Sequence, residues 1–470
     1  MRVKRIAKVI IFCVIFLFLL NRIYYILSWK DTAGEYYSSV NSYYDLEEDL
    51  VDVLFLGSSR CYCSINNAVL WDEYGIGNFS LSISGQDFAG TYHTLKEALK
   101  TQTPRVVCVE LYGSIFDGYM DEGNLYRTTL PFKYSANFYN VVDNLVTDEE
   151  KKSDFWLKWP IVHTRYSELQ KEDFLTDRPV YLGYHAEFRT QAIGPIEVYQ
   201  GEEEEPLPAE REKWLQKIIE LAKEKDIELC FFIAPYAVTE ADQKIFKYVE
   251  RIAGEHNIPV LNMLVLAEEL ELDVNTDFID WAHTNYYGAQ KVSEYVGEYL
   301  VTHYALEDHR GDERYALWDE NSKVRRHEVY NHQMKLSMDI GTYLDLMSCI
   351  QEYVVVVSTA GEHVSQEPDI SEYLQTLGIG EEFYASGGIW ILEDGEPVYI
   401  STEANSMHYV DLGISDLSVS SVNGTKSIMV DKQNYQKVEQ GINILVYDKI
   451  LGEVVDWVGF SAPHAYGIAR

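Results

Sequence analysis

Three short apolar runs, each followed by a turn and a stretch with helical spacing, limit what this chain can fold into. "VDVLFLG" (51–57) carries the uninterrupted apolar run Val53 to Leu56, as expected of a parallel strand buried on both faces. "NAVLWDEY" reads as a short helix, and "GNFSLSISG" as a second strand ending at Gly85. "FAGTYHTLKEALKT" puts Tyr92, Leu95 and Leu99 on one helical face, and "PRVVCVELYG" supplies a third strand from Arg105 to Leu111. Strand, helix, strand, helix, strand within about sixty residues predicts a doubly wound parallel α/β sheet.

Residues 113–208 break that rhythm. They are rich in Tyr, Phe and Trp, and close with the charged linker "QGEEEEPLP", so they read as an insertion or cap. The pattern then returns. "AEREKWLQKIIELAKEKD" aligns Trp214, Ile218, Leu221 and Ala222 on one stripe. The strand "IELCFFIAP" follows, then a helix with Thr239 as its N-cap, the strand "IPVLNM", and a last helix near Tyr286 to Leu300. Residues 51–302 form the expected α/β domain. Residues 303–335 are highly charged and read as a linker. From 336 to 463, strands such as "YVVVVSTA" and "GINILVYD" with one helix, "ISEYLQTLG", predict a smaller β-rich α+β domain. A chain of 470 residues fits two domains.

The first thirty residues hold four cations (Arg2, Lys4, Arg5, Lys8) ahead of an apolar core. Ile6 to Trp29 would reach roughly 36 Å as a helix at ~1.5 Å per residue, enough to span a bilayer. The cations precede the apolar run, which predicts a cytoplasmic N-terminus and an extracellular bulk at the cell membrane. A cleaved signal peptide is the rival reading. Its small-residue cleavage site is missing, because the flank is the bulky "NRIYYILSW". Residues 31–50 are polar and read as a stalk. The net charge of −36 argues against nucleic acid as a partner, since phosphate binding needs clustered Lys and Arg.

Cys61 and Cys63 are too close to pair with each other without strain, and Cys108 and Cys230 read as buried hydrophobes. No CxxC pair or Cys/His cluster is present, so no disulfide framework, metal or cofactor is predicted.

The run Val53–Leu56 ends in Gly57-Ser58-Ser59-Arg60. A serine hydroxyl attacks only with a base within hydrogen-bond reach, itself held by a third group. "Asp280-Trp281-Ala282-His283" precedes the last helix, and an aspartate three residues before a histidine can fold back onto the imidazole. Asp277 competes for that role, and Asp280 has the better spacing. In doubly wound sheets, sites form at the carboxyl ends of strands, where the first strand would bring Ser59 and the last would bring His283. Neither "GSS" nor "DxxH" is specific alone, and most loop histidines are only polar surface.

Together these blocks resemble the SGNH/GDSL hydrolase superfamily. Its first block, Gly-Asp-Ser, aligns with Gly57-Ser58-Ser59 and implies Ser59 as nucleophile, with His283 as base and Asp280 orienting it. Its second-block glycine aligns with Gly85, implying an oxyanion hole from the Ser59 and Gly85 amides. Its third block, Gly-x-Asn-Asp, is absent, since Glu110-Leu111-Tyr112-Gly113 stands there. Gln86 is the candidate substitute donor. A Gly-Ser-Ser block behind an N-terminal anchor resembles the branch that modifies cell-surface polysaccharides, which includes the D-alanyl transfer protein and the alginate O-acetylation proteins. That resemblance implies O-acyl transfer or ester hydrolysis on a surface glycan, beside a multi-pass membrane acyltransferase partner. The aromatic insertion would then offer faces for sugars, with His163 and Arg165 as substrate contacts. The plain alternative is that these aromatics form the core of a cap. The alternative for the whole chain is a non-catalytic glycan-binding or assembly protein.

"QGINILVYDKILGEVVDWVGFSA" and "YVVVVSTAGEHVSQEPDISEYLQTLGI" resemble the closing and opening stretches of the ILEI/PANDER domain. That likeness implies a compact, carbohydrate-binding accessory module without catalytic residues, in which His363 and His408 are structural or at the surface.

Overall fold

The computed structural model describes residues 2–29, 39–116, 118, 120–174, 181–348, 351–360, 374–375, 377–379, 387–461 and 467–470. The chain divides into two compact units, Met1–Ser322 and Lys323–Arg470.

The first unit is built on five parallel strands: β1 (Val53–Gly57), β2 (Asn78–Ser82), β3 (Val106–Glu110), β4 (Glu228–Ile233) and β5 (Val260–Asn262), in the order β2-β1-β3-β4-β5. Alternate residues feed opposite layers. Leu54, Leu56, Val107, Val109 and Phe231 face one hydrophobic core, and Val53, Phe55, Val106, Cys108 and Phe232 face another. Both faces are covered, so the strands read as unbroken apolar runs rather than as alternating ones. Helix starts follow local capping chemistry. The Asp87 carboxylate accepts from the Gly90 amide (2.8 Å), and the Thr239 hydroxyl from that of Asp242 (3.1 Å).

The N-terminal helix, Arg2–Leu27, is long and apolar enough to cross a membrane. Its side chains are exposed from Arg5 through Leu19, and its last turn packs into the first unit through Leu27. Of the expected stalk, residues 31–38 lie outside the described residues, and the rest is packed into the first unit. The helix Val40–Asp45 buries Val40 and Tyr43, and Leu46 and Leu50 join the same core. Tyr43 meets Phe79 edge-on at 5.0 Å, so a polar-looking segment is held by its aromatic side.

The insertion is not a detached cap. Its helices include Glu122–Thr129, Ala136–Leu145, Lys152–Leu157 and Trp159–Val162. Phe132, Phe138 and Phe155 lie in the same core as Leu54 and Leu56, which supports the core reading for those rings. His93 bridges the helix Phe88–Ala98 to the insertion, with Nδ1 2.9 Å from Asn137 Oδ1 and Nε2 3.0 Å from Asn144 Nδ2.

The linker expected at 303–335 contains the helix Ala316–Leu336, which runs across the division between the units. Its charge conceals inward-facing groups whose partners lie far back in the chain. Trp318 is fully buried and donates to the Asn78 carbonyl (2.9 Å), while Ser322 donates to Asp72 (2.5 Å).

The second unit holds a six-stranded and a four-stranded antiparallel sheet. The central strands Tyr353–Ala360 and Gly441–Asp448 pair along their whole length. Val354, Val356, Leu445 and Tyr447 pack with Leu417, Val419, Ile428 and Val430 of the smaller sheet. The helix Ile340–Ser348 brings Tyr343, Leu344 and Met347 to a core with Val355, Val357, Ile442 and Ile444. The expected helix "ISEYLQTLG" lies largely outside the described residues, and His363 lies outside them. His408 stacks on Tyr399 (4.1 Å).

Candidate active site

β1 ends at Gly57, whose φ of +153° disfavours other residues. A Cβ there would also stand 2.6 Å from Glu110 Cβ, so the close approach of β1 and β3 requires the glycine. The chain then turns through Ser58 into the short helix Ser59–Ser64. The two serines part company here. Ser58 is fully buried, and its Oγ donates to Glu110 Oε2 (2.7 Å). Ser59 Oγ lies 2.7 Å from His283 Nε2.

His283 belongs to a small hairpin in which Phe278–Asp280 pairs with His283–Thr284. His283 follows the sheet's last strand in the chain, but it sits in this hairpin, which is separate from the main sheet. Residues 263–277, between β5 and the hairpin, are turns and loop.

Hydrogen bonds clamp the hairpin to the helix Ser59–Ser64. Thr284 Oγ1 donates to the Cys63 carbonyl (2.9 Å) and lies 3.1 Å from Ser64 Oγ. The Asn66 amide donates to Ser293 Oγ (2.7 Å) on the helix that follows. An extended strip of the insertion closes one side. The His185 amide donates to the Tyr62 carbonyl (2.9 Å), that of Tyr286 to Glu187 (2.8 Å), and that of Gln191 to Phe278 (2.8 Å).

Asp280 is the carboxylate that holds His283. Its Oδ1 accepts from the Ala282 amide (2.7 Å) and the His283 amide (3.1 Å), and lies 3.0 Å from His283 Nδ1. With the proton on Nδ1, Nε2 is free to accept from Ser59 Oγ. Partial burial works to raise the Asp280 carboxyl, but these amides and the imidazole outweigh it and hold it below the usual carboxylate value. Asp277 is occupied elsewhere. It is buried, paired with Lys291 (2.7 Å), and accepts from the Asp273 amide (2.8 Å).

Behind Ser59 lies a buried polar layer that sequence reasoning missed. Glu110 accepts from the Ser58 hydroxyl and from the amides of Ser58 (3.2 Å) and Tyr112 (2.8 Å). Burial pushes its carboxyl up, against the pull of Arg60 and these donors. The Arg60 guanidinium lies over the rings of Tyr236 (3.5 Å) and Tyr112 (4.9 Å).

Gly85 has φ +64°, and a Cβ there would stand 3.2 Å from Asn124 Nδ2. Asn124 sits on the insertion helix Glu122–Thr129. Its Nδ2 donates to Asp121 Oδ2 (2.9 Å), and its Oδ1 accepts from Arg127 (3.0 Å). The same helix turns Tyr126 toward Trp29, with ring centroids 6.0 Å apart.

Gln86 is buried and donates to Thr91 Oγ1 (3.1 Å), while its Oε1 has no partner among the described residues. Arg165 is buried, pairs with Asp173 (3.0 Å), and donates to the carbonyls of Leu27 (3.0 Å) and Ser28 (2.9 Å). It therefore caps the end of the N-terminal helix. His163 is exposed, with Nδ1 3.0 Å from the Trp159 carbonyl in its own turn.

No family model matches the chain, and no curated protein matches it. A solved Bacteroides fragilis structure, provisionally described as an acylhydrolase, aligns with 58% of this chain and 99% of its own at 12% identity and a TM-score of 0.28. At that TM-score the likeness carries no activity or residue role to this chain.

Proposed function

We propose that the first unit is a serine enzyme of acyl transfer or ester hydrolysis, with Ser59 as nucleophile, His283 as base and Asp280 as orienting group. The observation that carries this reading is the unbroken line Asp280–His283–Ser59, at 3.0 and 2.7 Å. Ser59 Oγ attacks an ester carbonyl while His283 Nε2 takes its proton. The amides of Ser59 and Gly85, with Asn124 Nδ2 as the third donor, receive the developing oxyanion. The imidazolium then protonates the leaving alcohol, and an acyl group remains on Ser59. Water or a second hydroxyl, deprotonated by His283, releases it.

The wider setting of this reading is a chain anchored by Arg2–Leu27 with its bulk outside the cell. The acceptor or substrate is a cell-surface polysaccharide, and the second unit binds glycan. The Gly-Ser-Ser block, the apolar N-terminal helix and the motif likeness of the second unit support that setting. The test is hydrolysis of p-nitrophenyl acetate by the full chain in detergent. Ser59→Ala is expected to lose about 10⁴-fold or more in rate, while Ser58→Ala keeps activity. Equal rates for wild type and Ser59→Ala would reject the reading.

A further inference from the structure

A cavity of about 510 Å³ lies between the N-terminal helix and the insertion. Leu17, Leu20 and Tyr24 form one wall, and Phe132, Tyr134 and Trp159 form the other. The first wall belongs to the candidate membrane span Arg5–Leu27. Leu17 to Tyr24 covers roughly 10 Å of helix axis at ~1.5 Å per residue. The second wall is held by Lys158, whose ammonium donates to the carbonyls of Leu130 (2.8 Å) and Phe132 and lies over the rings of Tyr134 (4.7 Å) and Phe138 (4.4 Å). Outside that wall, Tyr134, Leu157 and Tyr166 are 58%, 60% and 73% exposed.

We propose that this groove holds one hydrocarbon chain of a membrane phospholipid, with the insertion seated at the lipid–water boundary. The proposal rests on the reading of Arg2–Leu27 as a membrane span. Residues at the depth of Leu17 and Leu20 are then surrounded by acyl chains, so hydrocarbon and not water fills a groove they line. Tyrosine and tryptophan with one apolar and one polar end suit the interface, as Tyr134 and Trp159 do here. Lys133, exposed at the groove's edge, places a cation at headgroup level.

The test uses the full chain in nanodiscs of phosphatidylcholine and phosphatidylglycerol. A trace phospholipid carries a diazirine midway along one acyl chain, and labelled peptides are mapped after irradiation. Label is expected on residues 130–134 and 158–162 as well as on 6–16. Leu20→Trp, which fills the groove, should lose the label at 130–162 and keep it at 6–16. Label on 6–16 alone in the wild type would overturn the groove and leave the anchor standing. Absence of label on 6–16 would overturn the anchor and the groove with it. Unchanged labelling in Leu20→Trp would show that the label enters from elsewhere and would also overturn the proposal.

Discussion

Each unit sets a histidine against an aspartate, at nearly the same distance. In the first, His283 Nδ1 is 3.0 Å from Asp280; in the second, His327 Nδ1 is 2.8 Å from Asp448. Their surroundings differ. The side chains of His283 and Asp280 are 24% and 41% exposed, whereas those of His327 and Asp448 are 3% and 0%. The second nitrogen of His283 meets the Ser59 hydroxyl, and that of His327 lies 3.7 Å from Glu352. Asp448 also accepts from Asn331 (2.9 Å), which accepts in turn from the Tyr353 hydroxyl. One pair opens onto a partly exposed hydroxyl. The other is closed within a buried network, which gives a fold its single packing. A His–Asp distance alone therefore identifies no active site.

Exchanging Asp280 for Asn should break the first pair without disturbing the second. Asn cannot hold the productive tautomer, and the esterase rate should fall about 10³–10⁴-fold with the melting temperature little changed. The mirror experiment is Asp448→Ala. It should leave that rate near wild type and destabilise the second unit by roughly 3–5 kcal/mol, read by denaturant unfolding. Comparable losses of rate in both variants would erase the distinction between the pairs. Asn124→Ala sharpens the first region further. Loss of one oxyanion donor should lower kcat about 10²–10³-fold with KM nearly constant, in kinetics on p-nitrophenyl acetate.

The smallest effect concerns acid stability. Burial lowers the His93 imidazole to about 4, against the pull of its Asn137 hydrogen bond. Between the ordinary value of 6.5 and about 4, the unfolded chain binds the proton and the folded chain does not. Stability therefore falls as pH drops through that window, by an amount on the order of 3 kcal/mol. His93→Gln should flatten this part of the curve of melting temperature against pH. An unchanged slope would remove His93 as its source.

The parallel sheet was legible because strands buried on both faces write themselves as apolar runs, as Val53–Leu56 and Val106–Val109 do. The Asp280–His283 contact was legible because it is local. What escaped was non-local or disguised. Glu110 reads as the end of a strand, and only the fold shows its carboxylate behind Ser58, where the resembled family has an aspartate next to the nucleophile. Asn124 lies on an inserted helix, so no fixed spacing from β3 announces it. Arg165 stood out only by its place in the aromatic insertion, yet it binds the carbonyls that end a helix. The charged stretch 303–335 looked like a linker because burial of its Trp318, His327 and Asn331 depends on partners far away in sequence.

The most direct measurement is the intact mass of the full chain in detergent after exposure to a serine-reactive phosphonate, beside Ser59→Ala and Ser58→Ala. The account predicts one adduct on the wild type, mapped to the peptide bearing Ser59, kept in Ser58→Ala and lost in Ser59→Ala. Folded wild-type protein without an adduct, or an adduct that persists in Ser59→Ala, would contradict it.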